Sequence, residues 1–383
     1  MSEIKLKINK NTFFIKLPIE YYNLNNIKLA RLKLKNKIRI VHKIHSKYHL
    51  LKITTNNKEK DSLIIQFFSI INNFPNYYDY KKDKFTNSKK PIVSCIIVLT
   101  MNDEFIKNQT IPSIIQNSKK YPIEIIIVYN GDKKIKKIKN VKNIKSLKFH
   151  ATKALNKAAK LSKGKYLAFF HDDVILNDSK WIEKSIKNLN KTNVYAVTPT
   201  IKEQVARNEP LVIKKSTFNL LKGYDEKLSL GQEDTEFTIR ILSKNKKIKK
   251  ININKYHFGG LSTILAMSNN HKQIKELIKY NILSIDMLHQ IHQYYIKKMK
   301  ENKRIYNEFI KNYVYILFKY KKESNKKTIK IAIKESIPPI LENINKDNMK
   351  QFLKIYQTKY FNNKKNIKKN YYGIINNLRL KKQ

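Results

Sequence analysis

The chain has 383 residues and a formal net charge of +51, from 80 Lys+Arg against 29 Asp+Glu. Of the basic residues 74 are lysine and only six are arginine, the side chain that reads guanine edges and clamps phosphates bidentately, so the charge alone does not mark a nucleic-acid binder. A content of 41% hydrophobic and 11% aromatic residues excludes a wholly disordered basic chain.

Lysine is accompanied by heavy use of Ile, Asn and Tyr and by only 7 Gly, the pattern of a coding bias. The single cysteine, Cys95, excludes an internal disulfide framework and a Cys-based zinc site, and makes a reducing compartment the expectation. The longest apolar runs, Ile92–Leu99 and Tyr313–Phe318, fall far short of the roughly 18 residues of a membrane span. The opening MSEIKLKINK lacks the apolar region of a secretory signal. The expectation is a cytoplasmic protein that at most lies peripherally on the inner face of the plasma membrane.

Residues 1–90 alternate loosely between apolar and charged positions, as in Ile4-Lys5-Leu6-Lys7-Ile8, with few helix-template matches, and predict a strand-rich accessory region. It ends in the polar stretch Tyr77–Lys90. From Pro91 the pattern alternates between strands and helices. Ile92–Leu99 is almost continuously apolar, as a strand buried on both faces requires. Thr110 is the expected N-cap of a helix with Pro112 in its first turn and Ile111, Ile114 and Ile115 at helical spacing.

Ile123–Val128 is a second buried strand, closed by Asn130-Gly131. Ala151, Ala154, Leu155, Ala158 and Ala159 match the helical template, Gly164 stops that helix, and Tyr166–Phe170 is a third strand. This order predicts an α/β unit over 91–267 with a mostly parallel sheet flanked by helices. Residues 268–383 predict a helical, Lys-rich C-terminal extension, with Ile274, Leu277, Ile278, Ile285 and Leu288 at helical spacing. No internal repeat is present.

In open parallel sheets ligands sit beyond the carboxyl ends of the strands. The strand Tyr166–Phe170 runs directly into His171-Asp172-Asp173. Adjacent carboxylates there offer the oxygen ligands that a hard divalent cation shares with a diphosphate; an acidic turn capping the helix near Asp178 is the other reading. A second pair, Glu233-Asp234, opens a run with Phe237, Ile239, Ile241 and Leu242, and favourable placement at a helix N-terminus would account for it as well.

Five stretches resemble a family 2 glycosyltransferase with the GT-A (Rossmann-like) fold, across residues 91–265. VSCIIVLTMND at 93–103 is similar to the family's opening VSIIIPTYNR, and EIIIVYNGD at 124–132 to EIIVVDNGS. ATKALNKAAKLSKGKYLAFFHDDV at 151–174 is similar to the stretch that ends in the DXD-type motif. LVIKKSTFNLLKGYDEKLSLGQEDTEFTIR at 211–240 is similar to the acceptor-side segment with its GGFDE and ED pairs. Tyr256-His257-Phe258-Gly259-Gly260-Leu261-Ser262 is similar to the histidine and Gly-Gly-Ser stretch that closes the domain.

The resemblance implies an inverting, metal-dependent hexosyltransferase that uses a nucleotide-diphosphate sugar and a divalent cation, Mn2+ or Mg2+. Asp173 and His257 would ligate the metal, and Asp172 would contact the ribose or share the metal. Asp234 would be the general base, with Glu233 as the alternative base or a ligand of the acceptor hydroxyl. Thr100, Asn102, Tyr129, Asn130 and Asn156 would line the nucleotide site. The chain departs from the family where Tyr129 replaces an Asp, Leu99 and Asp103 replace Pro and Arg, and His171 replaces the first Asp of the acidic motif.

The implied acceptor is a glycan or lipid-linked saccharide, in synthesis of a bacterial surface glycan such as lipopolysaccharide or capsule. A Lys-rich nucleic-acid binder and an inactive GT-A scaffold at an anionic membrane surface are the competing readings. No helix-turn-helix, zinc or RNP-type motif supports the first of these, and no specific nucleic acid is expected.

Overall fold

The computed structural model describes residues 5–9, 12–18, 22–35, 37–46, 48–55, 60–72, 85–99, 105–130, 141–146, 150–202, 205–228 and 231–258, together with isolated positions between 277 and 320. Thr100, Asn102, Asp103, Gly131, the stretch Gly259–Ser262 and most of 268–383 lie outside the described residues.

The first 72 residues build an antiparallel sheet from β1 (Lys5–Asn9), β2 (Thr12–Pro18), β3 (Ile38–Ile44) and β4 (Tyr48–Thr55), in the order β1-β2-β4-β3. Its inward side chains, among them Phe13, Ile15, Leu17, Leu51 and Ile53, alternate with more exposed positions such as Lys16 and Lys52, as the two-residue pleat dictates. Two helices, Leu24–Lys33 and Lys60–Ile71, also form here, where the sequence predicted mainly strands. The second buries Leu63, Ile64, Ile65, Phe67, Phe68 and Ile71, so it is apolar nearly all round and carries no polar stripe to mark a helical period.

The second unit contains β5 (Val93–Leu99), β6 (Ile123–Asn130), β7 (Lys142–Ser146), β8 (Tyr166–Phe170), β9 (Val174–Leu176), β10 (Val194–Thr198), β11 (Ile201–Lys202), β12 (Val205–Ala206), β13 (Leu211–Lys214), β14 (Lys247–Lys250) and β15 (Lys255–His257). Seven of these form one sheet in the order β14-β10-β13-β8-β5-β6-β7. β13 alone runs against its neighbours, and the other pairings are parallel. This is the mixed α/β, mostly parallel sheet that the sequence predicted.

Every residue of β5 except Val98 is buried, which explains its unbroken apolar run. Cys95, Ile97 and Leu99 face one apolar layer with Trp181 and Ile114, whereas Ile96 faces another with Ala154, Leu155, Ala158 and Phe169. The alanines let the helix Ala151–Leu161 lie close on the sheet. Thr110 does not cap the following helix. A π-helical turn over Ile106–Thr110 runs straight into the helix Ile111–Asn117, so Thr110 has helical dihedrals and its hydroxyl donates to the carbonyl of Asp172 instead, at 3.1 Å.

The helix Ala151–Leu161 ends before Gly164, and the glycine meets a steric need of the sheet. The Ser94 hydroxyl donates to Glu124 (2.7 Å) and accepts from the Gly164 amide (2.8 Å), and a Cβ on Gly164 would sit 2.6 Å from the Ser94 backbone nitrogen. Gly164→Ala is expected to lower stability by about 1–3 kcal/mol, the usual cost of overpacking a core. Urea unfolding of the full chain checks it, and an unchanged midpoint would show that β5 and the 162–165 turn can separate without cost.

Candidate active site

Three segments meet beyond the carboxyl end of β8. Residues 171–174 continue from that strand, and their position is fixed from the helix Ile111–Asn117. The Ser113 hydroxyl accepts from the Leu176 amide at 3.1 Å, and the Asn117 amide donates to the Leu176 carbonyl at 3.0 Å. β15 pairs with β9, placing His257 opposite Val174, and the Phe258 amide donates to the Asp173 carbonyl at 3.1 Å. The segment between β12 and β13 closes the group, with the His171 amide donating to the Asn208 carbonyl at 2.8 Å.

Strand alternation sorts the side chains of β15. Lys255 and His257 turn toward the carboxylates, whereas Tyr256, and Phe258 just beyond the strand, pack into the apolar cluster that includes the N-terminal sheet, Phe105 and Ile175. The rings of Phe105 and Phe258 meet edge to face at 4.9 Å. The 1–72 unit therefore backs the strand that presents His257.

His257 lies between two acids. Its Nε2 is 3.1 Å from Asp173 Oδ1 and its Nδ1 is 2.9 Å from Glu209 Oε1. The ring of His171 stacks on it, with centroids 5.4 Å apart and planes at 20°. Burial alone would lower the pKa of His257, but the Asp173 and Glu209 carboxylates overcome this and raise it to about 10. Glu209 is itself buried, yet His257 and Lys255 hold its carboxyl well below the usual range. Its Oε2 accepts from Lys255 and, at 2.8 Å, from the Thr200 hydroxyl.

The second acidic pair begins the helix Glu233–Ser243, entered through left-handed backbone at Gly231 and Gln232. Asp234 is buried and its Oδ2 accepts from Arg207 Nη1 at 2.6 Å. Burial, and then the charge of Asp234, push the Glu233 carboxyl up to about 7. The Ala206 amide donates to the Thr238 hydroxyl at 3.1 Å, tying β12 to this helix and so bringing Arg207 to Asp234.

Lower on the helix, Glu236 is wholly buried and accepts from Arg240, Lys319 and, at 2.6 Å, Tyr320. These partners fix the helix that carries the acidic pair.

The sequence-predicted residues thus separate into groups. Asp173 and His257 are in direct contact, and Glu233 and Asp234 stand together with Arg207, whose flanking segment also carries Glu209. Asp172 is buried beside Asp173, with its carbonyl held by Thr110. Tyr129 ends β6 and its hydroxyl donates to Asn143 Oδ1 at 2.6 Å. Asn130 is the last residue of that strand. The Asn156 amide serves the neighbouring loop, donating to the Tyr224 carbonyl (2.9 Å) and to Glu226 (3.0 Å) and accepting from the Tyr224 amide (2.8 Å). Arg207, Glu209, Thr200 and Lys255 belong to the site as well, and the sequence reading did not find them.

Among the described residues no cluster of three or more His, Cys, Asp or Glu has the arrangement of a complete metal site. Asp173 and His257 nevertheless fit a cation as a pair. Two cis ligands of an octahedral ion with bonds of about 2.1 Å stand about 3.0 Å apart, and the Nε2–Oδ1 separation is 3.1 Å. A hard divalent ion held by one or two protein ligands completes its shell with phosphate oxygens and water. His257 also remains 26% exposed, so the pair is reachable from solvent.

The family model for Glycosyl transferase family 2 matches residues 95–243, less than half of the chain. No curated protein matches it. Among solved structures the chain is similar to a mannosyltransferase from Pyrobaculum calidifontis in complex with GDP-Man and Mn2+, at 12% identity over 65% of this chain and 87% of that one, with a TM-score of 0.36. It is also similar to residues 1–349 of TarS from S. aureus, at 11% identity over 64% of this chain and 90% of that one, with a TM-score of 0.36. The stretch that matches the family model spans the strand leading into Asp173, the Arg207–Glu209 segment and the Glu233–Asp234 pair, so the likeness to Glycosyl transferase family 2 falls on the residues that form the candidate site.

Proposed function

We propose that the chain transfers a sugar from a nucleotide-diphosphate donor to an acceptor hydroxyl with inversion, and that the acceptor is a glycan or lipid-linked saccharide of a bacterial surface polymer. The observation that carries this reading is the pairing of Asp173 with His257 at the end of β8 and of Asp234 with Arg207 on the adjoining segment. One pair suits the donor's diphosphate and the other the acceptor. A bound Mn2+ or Mg2+ would act as a Lewis acid toward the departing diphosphate.

Asp173 and His257 would supply the protein ligands for the cation and so orient the donor. Asp172, Tyr129 and Asn130 at the end of β6, and Thr100 and Asn102, which follow β5 in the sequence, serve the nucleoside, with Asn156 supporting the neighbouring loop. Asp234, held by Arg207, accepts the proton of the acceptor hydroxyl. The hydroxyl oxygen then bonds to the anomeric carbon as the carbon–phosphate oxygen bond breaks, and the nucleoside diphosphate leaves. Glu233 stands beside Asp234 in an acidic dyad, and burial together with the Asp234 charge holds the Glu233 carboxyl up to about 7.

Among the described residues no helix is long and apolar enough to cross a membrane. The excess of lysine would draw an anionic donor and an anionic acceptor or lipid surface toward the domain. The reading places the chain in the cytoplasm, where nucleotide sugars are made, with any membrane contact peripheral.

Screening UDP-, GDP- and dTDP-sugars with Mn2+ by thermal shift, followed by nucleoside diphosphate release, tests the reading. A complete absence of binding and release, with Asp173→Ala indistinguishable from wild type, would falsify it. Asp173→Ala is expected to remove the donor-induced shift. Asp234→Asn is expected to keep that shift and lose about 10²–10⁴-fold in turnover, the usual contribution of a general base. Equal loss of donor affinity in both variants would contradict the division of roles.

The dyad also sets a pH dependence. Glu233 is protonated below about 7 and ionised above it, which adds negative charge beside the acceptor hydroxyl and favours loss of its proton, so turnover should rise as pH passes through about 7. Stability runs the other way. The native state keeps a proton that the unfolded chain releases near 4.5, so the fold loses stability as pH rises from about 4.5 through about 7. Glu233→Gln should remove the rise in turnover and should melt higher than wild type at pH 8 but not at pH 4. A rate profile unchanged by Glu233→Gln would exclude the dyad as its source.

A further inference from the structure

The strongest unexplained feature of the site is Glu209. It is a buried carboxylate with no counterpart among the motifs that carry the family resemblance, yet each of its oxygens has an assigned use. Oε1 is 2.9 Å from His257 Nδ1, whereas Oε2 accepts from Lys255 and from the Thr200 hydroxyl at 2.8 Å. The two nitrogens of an imidazole point to opposite edges of the ring. A cation at Nε2, on the Asp173 side, is therefore out of reach of a carboxylate hydrogen-bonded at Nδ1.

We propose that Glu209 is the positioning residue of the cation site: it accepts a hydrogen bond from the Nδ1–H of His257, so that when the ion displaces the Nε2 proton to solvent the Nε2 lone pair stays directed at the ion that Asp173 also ligates. The proposal rests on the reading of Asp173 and His257 as cation ligands. A histidine ligand whose other N–H lacks a fixed acceptor is free to choose tautomer and to rotate, and outer carboxylates of this kind commonly change metal affinity by about 10–100-fold. Here the restraint acts in two directions. Glu209 fixes the ring at its edge and the stacked His171 fixes its face. Lys255 and Thr200 hold Glu209 in turn, and Lys255 lies on the same strand as His257, so carboxylate and imidazole are positioned from one element.

The test uses the full chain and Mn2+ alone, titrated and followed by the electron paramagnetic resonance signal of the free ion. Glu209→Gln is expected to weaken Mn2+ binding about 10–100-fold, and Glu209→Asp, which keeps the charge, to fall between it and wild type. In a long-range proton–nitrogen spectrum at saturating Mg2+, wild-type His257 should show Nδ1 protonated and Nε2 bare. At the same Mg2+ concentration Glu209→Gln, with its weaker site only partly filled, should show a mixture of tautomers, with the resonances assigned by their loss in His257→Asn.

Loss of Mn2+ binding in Asp173→Asn and His257→Asn, with Glu209→Gln within twofold of wild type, would overturn the role of Glu209 alone. Wild-type Mn2+ binding in Asp173→Asn and His257→Asn would overturn the cation reading beneath it. Equal losses in Glu209→Gln and Glu209→Asp, with both melting well below wild type and the tautomer unchanged, would mean that Glu209 only holds the fold.

Discussion

The arrangement of the candidate site depends on charges that are buried and must be matched. Asp173, Glu209, Asp234 and Glu236 are between 0% and 5% exposed, and removing one partner of a buried ion pair costs about 3–5 kcal/mol. Each acid takes a partner from a distant stretch of chain: Asp173 from His257, Glu209 from Lys255 and His257, Asp234 from Arg207, and Glu236 from Lys319, in addition to Arg240 one turn along its own helix. Local sequence sets the helices and strands; these pairings set how the ends of β8, β12 and β15 meet. An error in any one of them would leave a carboxylate without compensation, so the pairs specify one geometry as well as stabilising it.

The pairs are also linked to the apolar core. β15 turns Lys255 and His257 to the acids and Tyr256 to the cluster shared with the N-terminal sheet, so the same strand is held from both sides. Misplacing His257 would therefore require either unpairing Asp173 and Glu209 or opening the packing of Phe258 against Phe105. That coupling gives the 1–72 unit a physical connection to the site without contributing a side chain to it.

How much of this was legible in the sequence follows from what repeats. β5, β6 and β8 are buried on both faces and read as apolar runs, and the helix Ala151–Leu161 has one apolar face and reads at its own period. The helix Lys60–Ile71 has no polar face to supply contrast, so pattern could not separate it from a strand. The site divides in the same way. Asp172, Asp173, Glu233 and Asp234 were visible because they are adjacent pairs at element ends in an acid-poor chain. Glu209 and Arg207 are single charged residues in the irregular segment Arg207-Asn208-Glu209-Pro210, and their importance comes from partners tens of residues away. The usable signal there was weak: an arginine and an acid, both scarce, immediately before the apolar strand Leu211–Ile213.

The distribution of arginine makes the same point about charge. In a chain of 74 lysines and six arginines, two arginines lie against the buried acids of the helix Glu233–Ser243. Arg240 spans both oxygens of Glu236 while donating to the carbonyls of Leu221 and Gly223, each at 2.6 Å, a planar set of donors that an ammonium group cannot reproduce. Arg207 meets Asp234 with a guanidinium that stays charged at any working pH, so Asp234 keeps its partner while Glu233 titrates beside it. Lysine sets the overall field of the molecule; arginine and histidine, present in small numbers, stand where direction matters. The +51 charge and the chemistry of the site are therefore separate properties of the sequence, and only the second depends on which cation occupies which position.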